Sequence, residues 1–271
     1  MNRLQGVMQS CAAQGRSALI PYLTAGDPHP GRTAELMHAL VRGGADVIEL
    51  GVPFSDPMAD GPTIQLACER ALAAGTTMEK VLQIVADFRS KDSTTPVVLM
   101  GYLNPLLRGG SAAFCSRARA AGVDGVLAVD LTIEEADSLQ PELEAQDLCC
   151  IFLLAPTTSL ERAKRMSQRG SGYLYYVSLK GVTGSAQLDV GAVAERLGAL
   201  REVVNLPLAV GFGIRTAEHV AAVSEHADGV IVGSALVELI AQMADSDELP
   251  ARLQATMSNL KEGISTAGGR G

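Results

Sequence analysis

No stretch of this 271-residue chain holds the roughly 18 consecutive apolar residues of a membrane span. The start, Met1-Asn2-Arg3-Leu4-Gln5, is too polar to open a secretory signal. Positive charge is scarce, with 22 Lys and Arg against 30 Asp and Glu and a net charge of −8. Nucleic acid needs a basic footprint, so it is not expected as a partner. A small anion held by backbone N–H groups remains compatible with that charge. The five cysteines (Cys11, Cys68, Cys115, Cys149 and Cys150) are an odd set with no Cys-x-x-Cys pair. Cys149-Cys150 lies in an apolar run and reads as buried packing, which points to a reducing, cytoplasmic compartment. The four histidines (His29, His38, His219, His226) lack metal-ligand spacing, so no metal is expected. No Gly-x-Ser-x-Gly elbow is present. Cys68 and Cys115 fall in helical patterns and read as packing rather than nucleophiles.

What is there is apolar and periodic. Hydrophobic residues make up 47% of the chain, enough for one large core. Short apolar runs at 18–23, 46–50, 96–102, 124–129, 148–154, 173–177, 206–210 and 229–232 read as strands. Helical patterns separate them, at 33–41, 64–73, 78–89, 112–121, from 133, 160–168, 190–200 and 217–224. A preliminary amphipathic helix is expected at 4–13, and further helices at 235–243 and 249–262. Alternating strand–helix units demand a parallel sheet. Eight units in a chain near the roughly 250 residues of a closed barrel predict one α/β domain, a (β/α)8 TIM barrel over 1–264. An open doubly wound sheet is the rival. The tail 265–271 is expected to be mobile. Three strands share a small-Asp-x-apolar lead-in, at Asp46, Asp124 and Asp228.

One stretch organises the rest: Glu49-Leu50-Gly51-Val52-Pro53-Phe54-Ser55-Asp56-Pro57-Met58-Ala59-Asp60-Gly61-Pro62. It leaves a buried strand through a carboxylate, passes a Pro/Gly-rich acidic loop and enters a helix at Pro62, where a missing N–H costs little. A carboxylate at the tip of a buried strand is expensive without a task or a partner. It can also simply cap a neighbouring element, with the loop acids as solvated turn formers. Barrel active sites lie at the carboxyl ends of the strands. Period-two alternation from Glu49 then turns Val47, Val98, Met100, Tyr102, Leu127, Val129, Ile151, Leu153, Tyr173 and Tyr175 inward. The expected pocket is apolar and partly aromatic, with Glu49 at its floor and Asp60 above, and suits a flat apolar ring with a polar tail. Plain barrel packing accounts for Val47, Val98 and Ile151. Glycines follow strands six to eight, at Gly181-Val182-Thr183-Gly184, Gly211-Phe212-Gly213 and Gly233-Ser234. Three such loops at consecutive strand ends point to a phosphate group.

These residues also carry a resemblance. The stretch from Glu49 to Pro62 closely resembles the signature of the tryptophan synthase α subunit. The likeness continues through Tyr102-Leu103-Asn104-Pro105, Gly181-Val182-Thr183-Gly184, Gly211-Phe212-Gly213-Ile214 and Gly233-Ser234-Ala235. It covers nearly the whole chain, in order. The resemblance implies a barrel lyase that cleaves indole-3-glycerol phosphate to indole and glyceraldehyde 3-phosphate. It implies a pyridoxal-phosphate-dependent β subunit as partner, in an α2β2 assembly, and no cofactor in this chain. The catalytic carboxylates fall on Glu49 and Asp60. The ring-pocket positions fall on Tyr22, Met100, Tyr102, Leu127, Val129, Leu153, Tyr175 and Phe212. The phosphate positions fall on Thr183, Gly184, Gly213, Gly233 and Ser234, and the partner-facing loop on Asp56 and Pro57. Thr132 stands where many members have proline, and Lys180 where neutral residues are commoner. The implied chemistry is a retro-aldol cleavage begun by protonation of indole C3. A carboxyl group in an apolar barrel has a raised pKa and can supply that proton, which fits Glu49. Asp60 fits as acceptor of the ring N–H, while Tyr175 either hydrogen-bonds a carboxylate or packs. Two other readings stay open. One is a stand-alone lyase or related phosphosugar barrel isomerase; the other is a non-catalytic regulatory subunit, against which the retention of both acids argues.

Overall fold

The apolar runs form eight parallel strands. They are β1 (Ala18–Thr24), β2 (Ile48–Gly51), β3 (Val97–Gly101), β4 (Gly125–Ala128), β5 (Cys149–Leu154), β6 (Leu174–Val177), β7 (Leu208–Gly211) and β8 (Gly229–Val232). They bond in sequence order, and β8 returns to β1 with Leu19 opposite Val230, so the sheet is a closed barrel. This is the expected TIM-barrel architecture rather than the open sheet. The computed structural model describes residues 2–178, 189–211 and 213–264. The expected tail at 265–271 lies outside the described residues. Every strand residue except Leu153 is buried, because side chains fill the barrel on one face and helices cover the other.

Alternation divides the core into two layers. Val98, Met100, Leu127, Ile151, Tyr173 and Tyr175 belong to the cluster inside the barrel. Ile48, Leu50, Leu99, Val126 and Phe152 belong to the layer between strands and helices. Helix α1 (Arg3–Ala13) plugs the amino-terminal end of the barrel, giving Leu4, Met8 and Cys11 to the inner cluster. Asn2 fixes that plug. Its side-chain oxygen caps the helix at the Leu4 N–H, and its amide donates to the carbonyls of Asp124 (2.8 Å) and Asp147 (2.6 Å).

The outer helices follow the strands: α2 (Pro30–Arg42), α3 (Pro62–Ala73), α4 (Met78–Arg89), α5 (Leu103–Leu107), α6 (Ser111–Ala121) and α7 (Gln140–Ala145). Then come α8 (Leu160–Arg169), α9 (Val190–Arg201), α10 (Ala217–Ser224), α11 (Ser234–Gln242) and α12 (Leu249–Glu262). Two details differ from the sequence reading. Leu103-Asn104-Pro105 opens the short α5, because proline fits a first helical turn. The helix expected from residue 133 is a 3-10 turn (Ile133–Ser138) that breaks at Leu139 before α7 restarts with Pro141 in its first turn. Thr132 precedes that turn with φ −82° and ψ 155°, a backbone that proline also adopts.

The three strand-leading aspartates do one job three times. The N–H of Asp46 donates to the Leu19 carbonyl, and its carboxylate accepts the Leu19 N–H (2.8 Å). Asp124 makes the same two bonds with Val97, and Asp228 with Leu208. Each also holds a cation: Arg16 and Lys261 at Asp46, Arg3 and Arg89 at Asp124, and Arg201 at Asp228. The repeated lead-in of the sequence is therefore a staple between adjacent strands at the amino-terminal end.

Candidate active site

Glu49 is the second residue of β2, two before its carboxyl end at Gly51, and lies level with Tyr22 on β1 and Val98 on β3. It is fully buried. The Tyr173 hydroxyl donates to its Oε1 at 3.0 Å, while Oε2 has no hydrogen-bond partner among the described residues. Burial disfavours the charged form and pushes the carboxyl up to about 7, against a smaller downward pull from the Tyr173 hydroxyl. The hydroxyl that reaches the acid thus belongs to Tyr173, not to Tyr175.

Tyr22 and Tyr175 reach the interior by the same device. Each ring leans over a glycine on the next strand: a Cβ at Gly51 would lie 2.0 Å from the Tyr22 hydroxyl, and one at Gly211 2.0 Å from that of Tyr175. Glycine is required at both positions by this close approach. Burial raises all three phenols, Tyr22, Tyr173 and Tyr175, well above their ordinary value, so they remain protonated donors.

Asp60 comes from the loop between β2 and α3 and is half-buried. Tyr102 holds it: the hydroxyl donates to Oδ2 at 2.8 Å and accepts the Ala59 N–H at 3.0 Å. The Tyr102 ring also packs on Phe54 with centroids 5.3 Å apart, and the Gln65 amide donates to the Asp60 carbonyl at 2.8 Å. Burial raises the Asp60 carboxyl, partly offset by Tyr102. On the outer side of this loop Asp56 is exposed and accepts the Ser55 hydroxyl at 2.6 Å, Pro57 is half-buried, and Met58 projects into solvent.

These groups face one cavity of about 360 Å3 at the carboxyl ends of the strands. Glu49, Asp60, Tyr22, Met100 and Tyr175 line it together with Gly213, Gly233 and Ser234. Gly213 has φ +74° with open space around a would-be Cβ, so backbone conformation rather than room selects glycine. Ser234 begins α11, whose amino end carries no side-chain cap. Its first N–H groups are suited to an anion. Leu127, Val129, Leu153 and Tyr102 are not in the described lining: Leu127 is buried in the inner cluster opposite Met100, Val129 and Leu153 are partly buried against that cluster, and Tyr102 bonds Asp60. Thr183, Gly184, Phe212 and Lys180 lie outside the described residues.

The family model described as tryptophan synthase alpha chain matches residues 8–265. The chain belongs to this family. It is 56% identical over 265 residues to the tryptophan synthase alpha chain of Marinobacter nauticus, covering 97% of this chain and 98% of the relative. It is 56% identical over 264 residues to that of Laribacter hongkongensis, covering 97% and 99%. Among solved structures, the tryptophan synthase subunit alpha of Legionella pneumophila superposes with a TM-score of 0.90 at 44% identity, over 97% of this chain and 98% of that one. A tryptophan synthase chain from Mycobacterium tuberculosis superposes with a TM-score of 0.87 at 36% identity, over 98% and 100%.

Thr63, Ile64, Arg215 and Ile231, which the sequence alone does not mark, complete the cavity, together with Gly61, Pro62 and Ile214 from the quoted motifs. Ile231 was accessible to the alternation argument, since it lies two residues before Gly233 on β8. Thr63 and Ile64 carried no such signal, because only the turn of the chain after Asp60 brings the first turn of α3 back over the mouth. Among the described residues no group of three or more His, Cys, Asp or Glu could hold a metal ion. No helix among them is long and apolar enough to cross a membrane.

Proposed function

We infer that the protein is the lyase subunit that cleaves indole-3-glycerol phosphate to indole and glyceraldehyde 3-phosphate in tryptophan biosynthesis. The observation that carries the mechanism is Glu49, fully buried, with one oxygen free of partners among the described residues and its carboxyl pushed up to about 7. A protonated Glu49 donates to C3 of the indole ring, which turns the ring into a leaving group. The carboxylate so formed takes the proton from the side-chain hydroxyl. The bond between C3 and that carbon then breaks, its electrons neutralise the ring nitrogen, and an aldehyde remains on the glycerol phosphate. Asp60 accepts the ring N–H and stabilises the positive charge that builds there, more in the transition state than before it. Tyr102 supports this role by holding Oδ2 and leaving Oδ1 for the ring. Gly213, Gly233 and Ser234 supply the phosphoryl end, with Thr183 and Gly184 as further candidates.

The family also implies a β subunit as partner. We place it in an α2β2 assembly in the cytoplasm, with pyridoxal phosphate in the β subunit and no cofactor here. The exposed Asp56 and Met58 suit a docked partner. The deciding assay follows indole release from indole-3-glycerol phosphate, with and without a β subunit. The chain alone is expected to release indole slowly. An active β subunit should raise kcat roughly tenfold, about 1.4 kcal/mol of barrier, and Asp56→Ala should shrink that gain. Full turnover alone with a flat β titration would favour a stand-alone lyase. No indole under either condition would remove the lyase reading.

A further inference from the structure

Arg215 follows β7 and lines the cavity beside Gly213 and Ser234. Among the described residues of the lining it is the one positively charged side chain, in a cavity that also holds two carboxylates. Glu238 grips it at two points: Nη1 donates to Oε1 at 3.1 Å, and Nη2 donates to Oε2. The same Oε1 accepts the Thr63 hydroxyl at 3.2 Å, three residues after Asp60. Glu238 lies four residues after Ser234 on α11, which is one helical turn further along the same face. The guanidinium is therefore parked about one turn from the amino end of that helix. The side chains of Arg215 and Glu238 are 46% and 34% exposed. A pair so wetted is weak, and a phosphoryl dianion at the end of α11 can compete for the arginine.

We propose that Arg215 is a specificity-determining residue for the phosphoryl end of the substrate, with Glu238 as the positioning residue that holds its guanidinium at the mouth until a phosphoryl group arrives. Its charge draws the dianion to the α11 end and away from Glu49 and Asp60, so the ring enters towards the acids. This rests on the lyase reading above. Glu238, bonded to both Arg215 and Thr63, also joins the phosphoryl end of the cavity to the segment that carries Asp60.

Calorimetric titration of the full chain with glycerol 3-phosphate, and separately with indole, tests this. Arg215→Gln should weaken glycerol 3-phosphate about fivefold and leave indole unchanged. Arg215→Lys, which keeps the charge without the fork, should recover part of the loss. Glu238→Gln frees the guanidinium and should strengthen glycerol 3-phosphate about twofold. If wild type binds glycerol 3-phosphate and Arg215→Gln binds it equally well, the proposal fails while the lyase reading stands. It fails equally if both variants lose both ligands, since the pair is then only a strut. If the wild type binds neither ligand, the lyase reading falls and takes the proposal with it.

Discussion

Asp124 and Glu49 are both fully buried acids of the same barrel, and they share almost nothing else. Asp124 stands at the amino-terminal end, with Arg89 at 2.7 Å, Arg3 at 3.1 Å and the Val97 N–H at 2.9 Å. Burial pushes its carboxyl up, and the Val97 amide and the two guanidiniums pull it back. At Asp46 the same competition ends lower: burial is outweighed by Arg16, the Leu19 amide and Lys261. Glu49, towards the other end, meets one tyrosine hydroxyl and no cation among the described residues. A carboxylate met by two guanidiniums and a backbone amide holds strands together. One left uncompensated destabilises the fold and keeps a proton available near neutral pH. On the lyase reading proposed above, the difference separates stability from chemistry along a single barrel axis, as the two faces of such barrels are commonly divided.

The strongest way to break this contrast is Glu49→Gln. It keeps the shape and removes the proton donor, so kcat for indole release should fall at least about 10^3-fold, or about 4 kcal/mol. Retention of a tenth of wild-type turnover would remove Glu49 as the acid. The same variant tests stability. Unfolded, the carboxyl loses its proton near 4.5; folded, only near 7. Its stabilising contribution is thus whole below pH 4.5 and is lost as pH rises to 7, about 3 kcal/mol in all. Denaturant titrations across that window should show the decline in wild type and its absence in Glu49→Gln.

Asp124→Asn should do the opposite. Removing one partner strands two guanidiniums, and the expected cost is about 3 kcal/mol of stability, with turnover per folded molecule unchanged. An unaltered denaturation midpoint would show that the ion pairs make no net contribution. The smallest effect sharpens the contrast within the site. Tyr102→Phe removes the hydroxyl that anchors Asp60 and should lower kcat about fivefold, near 1 kcal/mol, with little change in melting temperature. A change in KM alone would make the anchor a matter of ground-state binding.

Much of this was legible in the residues. The eight strands announce themselves because both faces are buried, so each reads as an unbroken apolar run. Glu49 follows from a charge at the tip of such a run, and Tyr22, Met100, Tyr175, Gly233 and Ser234 from strand ends and the family likeness. Side-chain partners were not legible. Tyr102 and Tyr173 both face inward by alternation, but only three-dimensional packing decides that one holds Asp60 and the other Glu49. Nor could the sequence divide acids by role: Asp124 and Glu49 each border a strand, and the arginines that distinguish them come from α1 and α4, far away in the chain. The Arg215–Glu238–Thr63 link is invisible for the same reason, since it joins three elements through side chains alone.

The seam between β1 and β8 has a consequence for synthesis. The Ser17 hydroxyl donates to the carbonyls of Ser224 and Ala227, 207 and 210 residues onward, and β1 finds its second neighbour only in Gly229–Val232. At roughly 5–20 residues per second a ribosome needs about 10–40 s to deliver that strand. Until then β1 is an edge with unpaired backbone groups, open to pairing with another nascent chain. Pro21, midway along β1 and opposite Val232 in the finished barrel, has no N–H to offer an intruding strand. The closure that makes the barrel edgeless thus waits for the last of its strands to be made, and the proline in its first strand blunts the interval before it.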